Sequence, residues 1–347
     1  MRRLPIYFLV DISESMVGEP IEQVQDGIAT IIRELKTDPY ALETVWVSII
    51  GFAGRSKVIT PLQDVITFYP PKIPIGSGTS LSSGLNELMN AIDGEVTKTT
   101  YEKKGDWKPI VFLFTDGIPT DNSDKEIDRW NNNYRNKANL VIISIGENTN
   151  YNLLGRLSDN VLQFNNTDTN SYTEFFKWVT ASIKATSENI NNTNQDGINL
   201  SKVNSEVVEK IDLSKKHSLP DENFVVLNGK CSQTHKPYLV KFKSALESSG
   251  IADFQTRIFK AQGAFKIDEK AYKELSTDKN YSLKISSDEL YGNPNCPCCE
   301  NLIAVAHCVC GGIHCISGHG EATCPWCGNT GYYGHAEDGF NINRTLG

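Results

Sequence analysis

At 347 residues, with 39% hydrophobic and 22% charged side chains, the chain has the make-up of a globular protein large enough for two cored domains. No apolar run approaches the roughly 20 residues of a membrane span. The formal net charge of −8 speaks against a broad basic face for nucleic acid.

The chain opens Met1-Arg2-Arg3 and turns apolar, but Asp11 ends that run too early for a signal peptide and no small-residue cleavage site follows. The expectation is a mature strand in a cytoplasmic protein. Ile6 to Val10 is apolar, β-branched and aromatic, the pattern of a buried parallel strand. Glu19-Pro20 then starts a helix whose apolar face is Ile21, Val24, Ile28, Ile31, Ile32 and Leu35. Strand patterns recur at Val45–Phe52, Ile110–Phe114, Leu140–Ile145 and Val161–Phe164, with a short edge strand at Lys57–Thr60. Helical spacing recurs through Leu81, Leu85, Leu88, Met89 and Ile92, through Ile127, Trp130 and Tyr134, and through Phe175, Phe176, Val179 and Ile183. Strands separated by helices predict a doubly wound, mostly parallel α/β sheet covered on both faces. From 188 to 221 the chain is polar, with weak periodicity near Val203–Ile211, and reads as a linker holding at most one short helix. Beyond it, Phe224–Leu227, Tyr238–Phe242, Phe254–Phe259 and Tyr281–Ile285 read as short strands. The predicted domains are therefore 1–187, the linker 188–221, and a small β-rich domain over 222–347.

Three loops carry oxygen donors, two of them where apolar strands end. Asp11-Ile12-Ser13-Glu14-Ser15 follows the first strand, Gly76-Ser77-Gly78-Thr79 runs into a helix, and Thr115-Asp116-Gly117 follows another strand. Open α/β sheets bind ligands outside the carboxyl ends of their strands. Asp11, Ser13, Ser15, Thr79 and Asp116 thus offer two carboxylates and three hydroxyls, which with water suit octahedral Mg²⁺, or Mn²⁺ or Ca²⁺. The glycine loop has no Gly-Lys-Ser/Thr, so a phosphate loop is not indicated.

This combination resembles the metal-ion-dependent adhesion site (MIDAS) of von Willebrand factor type A (vWA) domains, whose sheet is Rossmann-like. The flanking stretches Met1–Pro5, Gly18–Glu22, Asp38–Thr44 and Lys104–Pro109 resemble bacterial tellurite-resistance TerY-like proteins. The wider vWA resemblance implies that Ser13, Ser15 and Thr79 touch the ion directly, that Asp11 and Asp116 act through water, and that one position stays open for a partner's carboxylate. The family commonly has glycine where this chain has Glu14. That side chain is expected to turn away from the ion; otherwise it adds a competing carboxylate.

The eight clustered cysteines all lie between 296 and 327, and Cys231 stands apart. With no export signal, such a cluster reads as metal ligands before disulfides. Cys296-Pro297-Cys298-Cys299 and Cys324-Pro325-Trp326-Cys327 are two Cys-x-x-Cys turns 24 residues apart, a zinc-ribbon signal. Cys308, Cys310 and Cys315 supply three further thiolates, and one of His307, His314 and His319 completes a second set. We take His319. One or two Zn²⁺ ions follow. Cys298 is not expected to be a ligand, and Cys231 with His235 reads as a core thiol beside a surface histidine. The tail and Gly229-Lys230-Cys231 also resemble the metal-binding domain that follows the vWA domain in TerY-like proteins.

No serine in these loops has a neighbouring base, so no catalytic centre is indicated. The expected function is that of a non-enzymatic adaptor, binding a partner's carboxylate through the MIDAS ion. The TerY resemblance implies tellurite-resistance or stress-response systems that include a Ser/Thr protein kinase and a PPM-type phosphatase. The alternatives are a metal-dependent hydrolase and a chaperone-like subunit of an ATPase complex.

Overall fold

The computed structural model describes residues 2–102, 104–116, 119–145, 151–164, 176–186, 208–210, 223–248, 255–277, 283–334 and 339–345. Its contacts divide into two compact units. The first comprises Met1–Ile12, Glu19–Ile73 and Thr79–Leu219; the second comprises Ser13–Gly18, Pro74–Gly78 and Pro220–Gly347.

The first unit is a seven-stranded sheet ordered β3-β2-β1-β4-β5-β6-β7. Its strands are β1 (Leu4–Asp11), β2 (Val45–Phe52), β3 (Ser56–Asp64), β4 (Ile110–Thr115), β5 (Asn139–Ile145), β6 (Val161–Phe164) and β7 (Val208–Lys210). β2, β1, β4, β5 and β6 run parallel, and the edge strands β3 and β7 are antiparallel to their neighbours. β1 is buried along its whole length, which accounts for its unbroken apolar run.

The helices are α1 (Glu19–Leu35), α2 (Pro39–Thr44), α3 (Leu81–Glu95), α4 (Asp124–Asn133), α5 (Tyr151–Leu157) and α6 over 176–186. Tyr7, Leu9, Ile50, Val111 and Leu113 face one side of the sheet and pack with Leu85 and Met89 of α3, Trp130 of α4 and Leu154 of α5. On the opposite face Phe8 stacks on Phe112 at 5.9 Å and Phe114 on Phe176 of α6 at 6.0 Å. α2 opens on Pro39 behind Asp38, whose carboxylate accepts a 2.9 Å bond from Ala41 N.

Trp130 is fully buried and stacks on Tyr134 at 5.9 Å. Trp130→Ala is expected to destabilise this unit by about 3–5 kcal/mol, read by denaturant unfolding. Trp130→Phe is expected to cost less, because the buried indole N–H has no acceptor among the described residues and its removal offsets part of the lost packing.

The second unit is built on a six-stranded sheet ordered β12-β10-β9-β8-β14-β13. These are β8 (Phe224–Lys230), β9 (Pro237–Ser248), β10 (Gln255–Lys266), β12 (Leu290–Tyr291), β13 (Ile303–His307) and β14 (Ile313–Ile316). Two small sheets join β11 (Leu283–Ser286) with β17 (Asn341–Arg344), and β15 (Gly320–Thr323) with β16 (Thr330–Tyr333). Helix α7 (Glu269–Leu275) is capped by Asp268 through Ala271 N at 2.8 Å. Tyr238 is fully buried and donates to Ala304 O at 2.6 Å. Its ring lies over Gly229, where a Cβ would come within 2.5 Å of it, so only glycine admits this packing.

Several elements depart from the sequence reading. The linker was expected to hold at most a short helix; instead Val208–Lys210 is a strand on the edge of β6, where it covers open backbone groups. The rest of 188–221 lies outside the described residues, as do Phe175, Gly117 and Tyr281. β9 and β10 are twelve residues each, longer than the apolar runs that mark them, because backbone pairing continues through polar positions such as Ser244 and Lys260. The short helices α2, α5 and α7 and the tail strands were not anticipated; none is long enough to establish a clear period.

Candidate metal centres

Asp11 and Asp116 lie at the ends of β1 and β4, and Thr79 lies in the loop that leads into α3. The parallel register pairs Val10 with Phe114, so Asp11 and Asp116 leave the carboxyl ends of neighbouring strands. Asp11 is fully buried, and Thr115 Oγ1 donates to its Oδ2 at 2.8 Å. A buried carboxylate is costly unless positive charge or hydrogen bonds compensate, and a cation would supply the charge.

Thr79, 2% exposed, is tied to the loop after β4. Its N–H donates to Thr120 Oγ1 at 3.1 Å, and Thr120 N donates to its carbonyl at 2.8 Å. Asp121 completes the clamp by accepting from Ser80 Oγ at 2.7 Å, Leu81 N at 3.2 Å and Ser82 N at 3.1 Å. It thereby caps α3 from another loop. Thr115, Thr120 and Asp121 were not singled out in sequence, although the run after β4 is rich in the short polar side chains that make such caps. Asp121→Ala is expected to cost about 1–3 kcal/mol in unfolding free energy, from the buried donors it leaves unmet. It is also expected to weaken Mg²⁺ binding, measured by calorimetry, because the helix start at Ser80–Ser82, next to Thr79, loses its anchor.

Ser13 and Ser15 follow two and four positions after Asp11, within the short piece Ser13–Gly18 of the second unit. Their hydroxyls lie 3.0 Å apart, and both are buried. Lys241 Nζ donates to the carbonyls of Ser15 and Val17, the latter at 3.2 Å. Glu14 between them is fully buried, and the Tyr272 hydroxyl donates to its Oε1. Burial pushes this carboxyl up to about 7, against hydrogen bonds from Tyr272, Ser77 and Thr345 that favour the ionised form. The Glu14 carboxyl is therefore engaged by neighbours of its own unit. The set Asp11, Ser13, Ser15, Thr79 and Asp116 consists of oxygen donors alone, which fits a hard divalent cation.

The cysteines form two groups of four, each with its ligand atoms within 4.8 Å of one another: Cys231, Cys296, Cys299 and Cys315, and Cys308, Cys310, Cys324 and Cys327. In the first, Cys299 and Cys315 sulfurs are 3.6 Å apart and Cys231 and Cys315 sulfurs 3.9 Å. In the second, Cys308–Cys327 and Cys310–Cys324 are 3.7 and 3.8 Å. Four sulfurs around tetrahedral Zn²⁺, with Zn–S near 2.3 Å, stand about 3.8 Å from one another. Both groups match that spacing. Burial pushes the Cys299 thiol up to about 11 and Cys324 up to about 12; burial opposes ionisation of Cys308 too, but bonds from the Cys310 backbone and Tyr333 hold it down to about 6. Burial also opposes ionisation of Cys231, but bonds from Thr234 and the backbone hold it down to about 6.

The ligand sets depart from the sequence reading in two ways. His319 is exposed and belongs to neither group; Cys231, read as a core thiol, takes the fourth place. The two Cys-x-x-Cys turns serve different groups. β14 runs parallel to β8 with His314 paired to Lys230, which brings Cys315 beside Cys231. The turn between β13 and β14 carries Cys308 and Cys310 and is closed by Cys308 N to Gly312 O at 3.0 Å. His307 instead stacks on Phe340 at 5.0 Å, and His314 is buried edge-on to Tyr333 at 4.8 Å. Cys298 lies in neither group.

No described helix is long and apolar enough to cross a membrane. Residues 6–178 match the von Willebrand factor type A domain, and residues 221–347 match the TerY-C metal binding domain. Similar solved structures include a von Willebrand factor type A protein from Catenulispora acidiphila, at 15% identity and TM-score 0.39 over 52% of this chain and 42% of that one. Another is proximal thread matrix protein 1 from the mussel byssus with a zinc-occupied MIDAS motif, at 16% identity and TM-score 0.37 over 54% and 46%. A third is the PilB minor pilin of Streptococcus sanguinis, at 13% and TM-score 0.38 over 53% and 61%. The chain spans less than two thirds of the length of each. With a von Willebrand factor type A domain over 6–178 and a TerY-C metal binding domain over 221–347, the chain has the domain architecture of the TerY-like proteins.

Proposed function

We propose that the protein is a non-enzymatic adaptor that uses three metal ions of two kinds. Asp11, Ser13, Ser15, Thr79 and Asp116 hold Mg²⁺, or Mn²⁺ or Ca²⁺ in its place, and leave a coordination position for a carboxylate of a partner protein. Each cysteine group holds one Zn²⁺ that fixes the C-terminal fold as a second interaction surface. The observation that carries the reading is the separation of donor chemistry: hard oxygens lie in the loops after β1 and β4 and before α3 of the vWA domain, whereas eight thiolates stand at zinc spacing in the TerY-C domain. No described cysteine group includes a histidine or carboxylate. Closed sulfur sets of this kind suit structural zinc, not hydrolysis. The partners are a Ser/Thr protein kinase and a PPM-type phosphatase of a cytoplasmic tellurite-resistance or stress-response system.

The test is affinity capture by the purified, zinc-loaded chain from lysate of its source, with Mg²⁺ present or omitted and no chelator added. The expected result is Mg²⁺-dependent recovery of a kinase or phosphatase, identified by mass spectrometry. Recovery independent of Mg²⁺ overturns the bridging role, and phosphoester turnover lost in Asp116→Ala overturns the non-enzymatic one.

A further inference from the structure

We infer that the two cysteine groups differ in kind: the Cys308, Cys310, Cys324 and Cys327 group is an exchangeable, ion-responsive site, whereas the Cys231, Cys296, Cys299 and Cys315 group is a sealed structural one. The inference rests on the reading that both groups hold Zn²⁺. Cys231, Cys296 and Cys315 are at most 1% exposed and sit in one core with Val225, Tyr238, Val240 and Phe242, and Cys299 is half-buried against that core. Around them Ser232 N and Oγ each lie 3.3 Å from Cys315 Sγ, Thr234 N donates to Cys231 Sγ at 3.3 Å, and Asn301 Nδ2 donates to Cys315 Sγ at 3.5 Å. Such outer bonds fix the sulfurs and shield their charge.

The other group is open. Cys308 and Cys324 are buried, but Cys310 and Cys327 are exposed. The short β15–β16 hairpin follows its first two ligands and brackets Cys324 and Cys327, and Tyr332 on that hairpin is 78% exposed. Replacement of a zinc ligand requires an entering group to reach the ion, which passes through a five-coordinate state. Two exposed sulfurs give that access; a site with three sulfurs in the core and only Cys299 half-buried at its rim gives far less.

The consequence lies at Trp326, inside the Cys324–Cys327 turn. Its ring packs on Gly312, where a Cβ would come within 2.4 Å, and its Nε1 donates to Ile313 O at 2.7 Å. Lys230 Nζ lies 5.4 Å from the ring centroid. Cys310 and Trp326 line one cleft of about 470 Å³, together with Asn228, Asn343 and Arg344. Two of those walls are held by the exchangeable ion, so its departure loosens the cleft while the sealed site keeps the sheet folded. The ligand class is a soft divalent cation, with zinc first and other thiophilic ions able to replace it. Trp326 is the only tryptophan beyond residue 178, so the part of the emission change that Trp326→Phe removes is local to this turn.

The experiment uses the full chain. Zinc is first counted by elemental analysis, and two per chain are expected; fewer overturns the underlying two-site reading. An excess of a chromophoric chelator is then added. One equivalent is expected to leave at least about tenfold faster than the other, equivalent to a barrier difference of about 1.4 kcal/mol. During that fast phase, iodoacetamide is expected to label Cys310 and Cys327 while Cys231, Cys296 and Cys315 stay unlabelled, with the Trp326 emission changing in step. Cys310→Ser and Cys327→Ser are expected to abolish the fast equivalent and keep the slow one. Release of both equivalents at one rate, or early labelling of Cys231 or Cys315, overturns the inference even with two zinc ions present.

Discussion

Cys231→Ser is expected to remove one zinc equivalent per chain and to unfold the second unit, as Cys315→Ser does. Serine in place of a buried thiol that merely fills space costs no more than an ordinary core substitution, in the range of about 1–3 kcal/mol. Loss of a ligand is different in scale. Structural zinc contributes on the order of 10 kcal/mol in small sites, comparable with the whole stability of a domain. The distinction is read by elemental analysis, near-ultraviolet circular dichroism and limited proteolysis of 223–345. Cys298→Ser and His319→Ala serve as controls: both are expected to keep two zinc ions, since neither side chain belongs to a sulfur group. Zinc lost with His319, or retained without Cys231, contradicts the ligand assignment.

The second large effect is at Asp11, a carboxylate with no exposed surface. Asp11→Asn keeps the shape and the hydrogen bond with Thr115 but removes the charge. Without divalent ions that charge is a burden, so the variant is expected to be at least as stable as the parent chain. With Mg²⁺ present the order is expected to reverse, because ligand binding stabilises only the protein that holds it, by about 2.7 kcal/mol at a hundredfold excess over Kd. Denaturant unfolding of the first unit with and without Mg²⁺ tests the crossover, and equal Mg²⁺ effects in the two proteins would contradict the site. Partner capture is expected to fall at least about tenfold in the variant, a loss of 1.4 kcal/mol or more.

Much of the vWA sheet was legible because its strands are buried on both faces and read as continuous apolar runs, as Phe8–Val10 and Phe112–Phe114 do. Asp11 and Asp116 were legible because they follow those runs directly, and Thr79 because its glycine-rich loop runs into a helix. What steadies them was not: Thr120 and Asp121 act on Thr79 and α3 across a loop, and only the fold brings those loops together. The same physics hid Cys231. Its partner Cys315 lies far along the chain, and the parallel pairing of β14 with β8 makes them neighbours. Without that pairing the two Cys-x-x-Cys turns appear to belong together, and a histidine seems necessary to complete the second set. Glu14 was a conspicuous departure in sequence, and the structure accounts for it through Tyr272 and the other donors around its carboxyl.

Native mass spectrometry of the full chain, sprayed from a volatile buffer containing Mg²⁺, tests the metal-dependent account most directly. The predicted result is one species carrying two Zn²⁺ and one Mg²⁺, with Asp11→Ala losing only the Mg²⁺ and Cys231→Ser losing a Zn²⁺. A chain that carries no zinc, or whose Mg²⁺ binding is unchanged in Asp11→Ala, would contradict it.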